Sequence, residues 1–395
     1  MGSRVRALSV AHLRPAKTSN PLPRLFFYEG DGLPPFPALL ATLRSSLATT
    51  LDVFAPLAGK LAVSPSGDAV VIDCSSGTVS QGVRFVEAEY AGGADDMRRR
   101  ERRRGVRALP APALAVQVTR PADYTAGGAG VGVVVVGVSV NHAVADGQAL
   151  WEFIRAWAAA ARGSSLSPAW PAGFVPPTFD RAAINRQPEA EELARKFLRV
   201  FAPALPTGRR TYLLSASQIT SLKQRIVSLQ SKRAGAGTPP AAAVKPPTTY
   251  AAVASLVWTS GVSAKNGLSD AGADAYLMFA ADCRARLRPP VPGAFFGNCV
   301  KACYARATVG ELHEGGAGAL ACAAAAIGSS NRFAAYDTDF GWGRPSRVEL
   351  ASVFVREFVA VVGAPDGAVQ VSVVLVRDRI HDFDTNFLSQ LQGSV

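Results

Sequence analysis

Val131-Gly-Val-Val-Val-Val-Gly-Val-Ser-Val-Asn-His-Ala-Val-Ala-Asp-Gly147 runs from a valine-rich stretch through a short polar turn to the start of an amphipathic segment. A half-exposed strand alternates apolar with polar residues, so this run predicts a strand buried on both faces. From Gly147 to Ala161, Leu150, Phe153, Ile154 and Trp157 fall on one face of a helix. Buried strand, tight turn and helix in that order are the unit from which α/β folds are built. Upstream, the sequence predicts a strand over Arg4–His12, a turn-rich stretch through Tyr28 and a helix over Phe36–Phe54. Ala55-Pro-Leu-Ala-Gly59 ends that helix, because proline and glycine interrupt the pattern. Strands are predicted at Ala69–Ile72, Val83–Glu87 and Ala113–Val118.

The second half repeats the alternation. It predicts helices over Glu189–Leu198, Thr249–Val262 and Asp382–Leu391. Strands are predicted over Arg210–Ser215, Tyr276–Asp282 and Val300–Ala307, with β-rich runs at Val348–Val361 and Ala368–Val376. The proline- and glycine-rich segment Ser231–Pro247 reads as a linker. With 395 residues the chain is too long for one ordinary core. The expected division is an N-terminal domain over 1–175, a crossover and linker over 176–245, and a C-terminal domain over 246–395.

Composition narrows the function classes. At 48% hydrophobic and 18% charged residues the chain is globular, not disordered. Its longest apolar run is too short and too interrupted to span a bilayer, and Met1–Leu8 lacks the pattern of a secretory signal. A cytoplasmic monomer is therefore expected. The net charge of +12 owes much to the run Arg98–Arg104. Nucleic-acid recognition calls for a wider basic face or a recognisable module, and neither is present. A small anionic substrate fits the charge equally well. The cysteines are five and scattered; Cys299 and Cys303 lie close together, but no histidine is near them in sequence to complete a zinc site.

Four histidines leave few candidates for a base. His142 stands at the end of the buried strand, among small residues, with Asp146 four positions on and Gly147 after it. A neutral imidazole there can take a proton from a hydroxyl. The plainer reading is a histidine that merely fills a strand end. A metal site would need a third ligand that the neighbouring sequence does not offer, and no Gly-x-Ser-x-Gly elbow is present. In Phe295-Phe-Gly-Asn-Cys299, Asn298 is either a satisfied turn residue or a donor to a carbonyl oxygen. Tyr336-Asp-Thr-Asp-Phe-Gly-Trp-Gly-Arg-Pro345 reads as a tight structural loop anchored by its aromatic rings.

Together, His142-Ala-Val-Ala-Asp-Gly147 and Asp339-Phe-Gly-Trp-Gly343 resemble the two signatures of the plant BAHD acyltransferases, in the family's order. The likeness extends to Thr49–Gly59, Gln117–Arg120, Phe179-Asp-Arg181, Ala281-Asp-Cys-Arg284 and Phe383–Leu391. The resemblance implies two similarly built α/β domains with mixed sheets flanked by helices, as in chloramphenicol acetyltransferase, and an active-site channel between them. It implies an acyl-CoA co-substrate, a small phenolic or amine acceptor, no metal and no permanently bound cofactor. His142 would be the general base, Asp146 a structural support paired with Arg284, and Asn298 a contact for the oxyanion. Arg181, Thr248, Thr249, Arg284, Arg286 and Phe296 would lie along the coenzyme. Asn141 and Phe295–Cys299 resemble the branch that acylates flavonoid, anthocyanin and other phenolic glucosides, with malonyl-CoA the favoured donor. That branch usually has tyrosine where Phe295 stands. The interval between Cys299 and Asp339 is also shorter than the family's.

Overall fold

The computed structural model describes residues 6–7, 18–19, 21–63, 65, 70–91, 107–108, 110–122, 132–163, 170–185, 207–233, 246–265, 270–314, 333–350 and 357–392. Its main elements in the first half are β1 (Pro21–Glu29), α1 (Phe36–Val53), β2 (Arg84–Tyr90), β3 (Leu114–Pro121), β4 (Val133–Asn141) and α2 (Gly147–Arg162). They are followed by β5 (Thr207–Leu214), α3 (Ala216–Arg233), α4 (Thr249–Ser263), β6 (Asp274–Asp282) and β7 (Val300–Thr308). The chain closes with β8 (Arg347–Leu350), β9 (Phe358–Gly363), β10 (Val369–Val376) and α5 (Ile380–Gln392).

The chain divides into two compact units. The first comprises Met1–Phe201 with Asp282–Val300 and Ala335–Phe354; the second comprises the remaining stretches. The first is built on a mixed five-stranded sheet of order β8-β1-β4-β3-β2, in which only β2 and β3 run parallel. β4 lies in the middle and is buried along almost its whole length, as its valine-rich run predicts. At Gly137 a Cβ would come within 3.2 Å of the Leu25 side chain and 3.4 Å of the Gln117 carbonyl, so the neighbouring strands leave little room there. α1 and α2 pack on each other, and the buried Trp157 indole donates to the Leu43 carbonyl across that contact.

Two expectations change here. The stretch through Tyr28 is not a run of turns: Pro21–Glu29 is a strand paired with β4 along its full length. Pro21 and Pro23 are tolerated for a geometric reason. The Phe27 carbonyl accepts from Ser346 on the β8 side, so odd-numbered residues of β1 direct their backbone groups that way. Both prolines lie past the last described pair with β8, at Arg24. Chain order also fails to give the units, because 282–300 and 335–354 join the first. The reason is packing: β8 completes the five-stranded sheet, and Phe340 packs on Tyr28 and Trp157. The predicted helix at Glu189–Leu198 lies outside the described residues.

The second unit holds an antiparallel sheet of order β5-β10-β9 and the β6–β7 pair. α4 is buried on nearly all sides. Val253, Leu256 and Val257 join one core with α3, α5, β9 and β10, while Ala254, Trp258 and Val262 join another with β7. A helix apolar all round belongs in such an interior position. α3 was not expected from the sequence; it ends at Arg233, inside the predicted linker.

Candidate active site

The site grows from the end of β4. Asn141 closes the strand, its side-chain oxygen accepting from the Ala143 N–H at 3.0 Å and its carbonyl from Val144 at 2.9 Å. This turn carries His142 at its head and delivers the chain to Asp146, the N-cap of α2.

The Asp146 carboxylate is 1% exposed and fully engaged. Oδ1 accepts from the Ala149 N–H at 3.0 Å and from Arg284 Nη2 at 3.1 Å. Oδ2 accepts from Arg284 Nη1 at 3.0 Å and from the Cys299 N–H at 2.9 Å. A carboxylate offers about four acceptor positions, so none is left to orient an imidazole. Asp146 therefore ties this turn to the start of α2, to Arg284 and to the Cys299 backbone.

Arg284 is 3% exposed and equally committed. Besides Asp146 it donates to the carbonyls of Phe295 and Gly297 and to Asp282 Oδ1. Burial would lower its pKa, but Asp146 and then Asp282 outweigh that effect and hold it above its ordinary value. The expectation that Arg284 lines the coenzyme is overturned, because its donors are turned onto the protein.

The stretch Phe295–Cys299 forms the other half of the anchor. Asn298 Nδ2 donates to the His142 carbonyl at 2.7 Å, and the Gly297 carbonyl accepts from Arg284. Only glycine fits at 297: a Cβ would stand 2.6 Å from the Phe295 ring and 3.1 Å from Arg181 Nη1. Asn298 thus holds His142 through its backbone, an arrangement the sequence left open.

His142 is partly buried. Burial pushes its pKa below the ordinary histidine value. Hydrogen bonds with its own backbone and that of Ala145, together with the Asp146 charge, pull it up, whereas the Arg24 charge pushes it down. The net direction is downward, so the imidazole is neutral at physiological pH, the state a base requires.

The remaining sequence candidates are distributed over both units. Phe296 is buried between Phe54 and Phe179, at 5.4 and 5.7 Å between ring centroids, and is a core residue. Arg286 is exposed and donates to the Asp282 carbonyl. Thr248 caps α4, accepting from the Ala251 N–H at 3.1 Å, and Thr249 begins that helix; both belong to the second unit. Arg181 keeps a buried Nε that meets no hydrogen-bond partner among the described residues. Its guanidinium lies over the Phe295 ring at 5.9 Å, and burial lowers its pKa. Sequence reasoning missed Arg24 and Asp282. Arg24 stood in a stretch read as turns, and nothing local distinguishes Asp282 until Arg284 is folded onto it. Among the described residues no group of side chains could hold a metal ion, and no helix is long and apolar enough to cross a membrane.

The Asp339–Gly343 loop lies at the opposite end of α2. Asp339 Oδ1 accepts from the Gly341 and Gly343 N–H groups at 2.7 and 3.0 Å. Both glycines have positive φ, 109° and 100°, a region disfavoured for other residues. Phe340 is fully buried against Trp157 at 4.8 Å, and the Tyr28 hydroxyl donates to the Thr338 carbonyl at 2.8 Å. Sixteen helical residues at 1.5 Å each separate this loop from the histidine turn by roughly 24 Å.

A histidine-bearing turn at the end of a central strand, in a two-domain α/β protein with a mixed sheet flanked by helices, matches the class to which the comparisons point. Residues 19–323 match the Transferase family, and the chain belongs to it, among the BAHD acyl-CoA-dependent acyltransferases. It is an enzyme of the acyl-CoA-dependent acyltransferase class. Phenolic glucoside malonyltransferase 1 of Arabidopsis thaliana is 25% identical, over 87% of this chain and 84% of that protein. Putrescine hydroxycinnamoyltransferase 1 of Oryza sativa subsp. japonica is 29% identical, over 85% of this chain and 83% of that protein. The crystal structure of vinorine synthase superposes with a TM-score of 0.68 over 99% of this chain and 94% of its own, at 18% identity, a likeness of fold.

Proposed function

We propose that this enzyme transfers a malonyl group from malonyl-CoA to a hydroxyl of a flavonoid, anthocyanin or other phenolic glucoside, with His142 as general base. Neutral His142 takes the proton of the acceptor hydroxyl as its oxygen attacks the thioester carbonyl. The new C–O bond forms while the carbonyl electron pair moves onto oxygen. Collapse of the tetrahedral intermediate breaks the C–S bond, and the departing thiolate recovers the proton from His142. No acyl-enzyme is required. Asn298 positions His142, and its second amide hydrogen is the donor offered to the oxyanion.

The observation that carries the malonyl reading is Arg181. It is a guanidinium with a buried Nε unmatched among the described residues, close to the stretch that braces His142. A donor carboxylate satisfies both its charge and its geometry. The 25% likeness to a phenolic glucoside malonyltransferase points the same way. The 29% likeness to a putrescine hydroxycinnamoyltransferase supports a second reading, in which a hydroxycinnamoyl, benzoyl or acetyl donor serves another phenolic or an amine. A cytoplasmic monomer is the setting this reading assumes.

The test is a mass-spectrometric assay pairing malonyl-, acetyl-, coumaroyl- and benzoyl-CoA with phenolic glucosides, free phenolics and amines, run on wild type and Arg181→Ala. Malonylated glucoside as the main product, lost preferentially over acetylated product in the variant, is the expected result. A dominant aromatic product, or transfer to amines, overturns the malonyl reading in favour of the second.

A further inference from the structure

Cys283 and Cys299 meet at the base of the segment that braces the histidine turn. The Cys283 N–H donates to the Cys299 carbonyl at 2.8 Å. With ordinary bond lengths on either side, that contact keeps the two Cα atoms within about 6.7 Å of each other. A disulfide spans about 4.4–6.8 Å between Cα atoms, so the backbone is already within bridging range. The side chains share one environment as well. Cys299 is buried in a cluster with Val291 and Phe295, and Cys283 packs against that cluster. Both residues are thiols in this structure.

The two differ in access. Cys299 is 5% exposed, and burial pushes its thiol up to about 11 against the pull of the Arg284 charge. Cys283 is only partly buried, so it meets a reagent from solution first. The 17 residues Cys283–Cys299 contain the whole brace. Within them lie Arg284, the Phe295 and Gly297 carbonyls that accept from it, and Asn298, the donor to the His142 carbonyl. At the two ends of this loop, the Arg284 guanidinium and the Cys299 N–H both terminate on Asp146.

We propose that Cys283 and Cys299 are a redox modification site, a reversible disulfide that staples the 283–299 loop. The oxidant is a small disulfide such as oxidised glutathione. The Cys283 thiolate attacks one of its sulfurs, forming a mixed disulfide and expelling one glutathione thiolate. Cys299 then gives up its proton and attacks Cys283 Sγ, and the second glutathione thiolate leaves. Two protein thiols are oxidised, one small disulfide is reduced, and the two thiol protons pass through solvent to the two glutathiones. Because the backbone is already within range, the bond leaves the Asp146 contacts in place and restricts the unfolded chain instead. The oxidised protein is therefore the more resistant form, and a reductant reverses the change.

The test equilibrates the full chain in glutathione buffers from fully reduced to fully oxidised, blocks remaining thiols with N-ethylmaleimide and maps the peptides by mass spectrometry. The expected product is a Cys283–Cys299 cross-link that dithiothreitol releases. Oxidation raises the thermal unfolding midpoint of wild type by about 5 °C or more. The rise is absent in Cys283→Ala and in Cys283→Ser. It persists in a variant in which Cys74, Cys303 and Cys322 are all replaced by serine. Oxidised and reduced states of one sample are compared, so a variant of lower stability still reports. Glutathione that stays on Cys283, a cross-link of either cysteine to a different partner, or a Cys283–Cys299 cross-link with an unmoved midpoint overturns the proposal. No acyl transfer is measured, so the result stands apart from the role proposed for His142.

Discussion

At its first turn α2 is tied down by charge, and at its last turn by aromatic rings and glycine geometry. The N-terminal end rests on Asp146, whose carboxylate gathers Arg284, the Cys299 N–H and the Ala149 N–H. The C-terminal end rests on Phe340 against Trp157, with Arg162 donating to the Asp339 carbonyl. Both ends carry a family signature, yet only the first lies next to a group able to move a proton. The difference shows why a rare motif need not mark chemistry. Burying an ion pair fixes a loop with directional bonds, and a histidine held by such bonds keeps its place through proton transfer. Rings and positive-φ glycines fix a shape and offer the reaction no donor or acceptor.

The largest expected effect comes from cutting the charged anchor. Asp146→Ala leaves Arg284 buried without its partner and removes the helix cap. It should cost about 3–5 kcal/mol in chemical denaturation and abolish most turnover. Unfolding that matches wild type would show that the pair is not the anchor. Next, His142→Ala should lower kcat by about 10²–10⁴-fold with a much smaller loss of stability than Asp146→Ala, because Asn298 and Asp146 still hold the turn when the imidazole and its backbone hydrogen bonds are gone. Near-wild-type turnover would remove His142 from the mechanism.

At the other end, Gly341→Ala forces a side chain into positive φ and should destabilise by about 1–2 kcal/mol with little change in kcat per folded molecule. A large drop in kcat at full folding would break the division between the two ends. The smallest effect is a displacement on the pH axis. Since burial holds the His142 pKa below its ordinary value of about 6.5, neutral imidazole persists into mildly acidic solution. The midpoint of the acid limb of the wild-type kcat/KM profile should fall below that value. A midpoint above about pH 6.5 would contradict the depressed pKa.

Much of this was legible along the chain. The valine run announced β4, the leucine spacing announced α1, and an apolar stretch without a polar face announced α4, because periodicity and burial are local consequences of composition. His142, Asp146 and Gly147 could be singled out for the same reason: strand end, turn and helix cap follow one another in sequence. Other features were beyond local reading. Pro21 and Pro23 look like breakers until both are found in a strand paired with β4, beyond Arg24, the last residue of β1 described as paired with β8. Phe296 and Arg284 look like ligands for a coenzyme until one is found among rings and the other wrapped by Asp146, Asp282 and two carbonyls.

The sequence by itself determined the elements, the α/β class and the candidate base. Only the tertiary structure decided which residues from distant segments meet at that base. Arg284 reaches Asp146 across 138 positions, and Asn298 reaches the His142 carbonyl across 156. The physical reason is that a hydrogen bond or charge pair depends on distance in space, and chain order carries no record of that distance until the sheet and its helices have closed around the site.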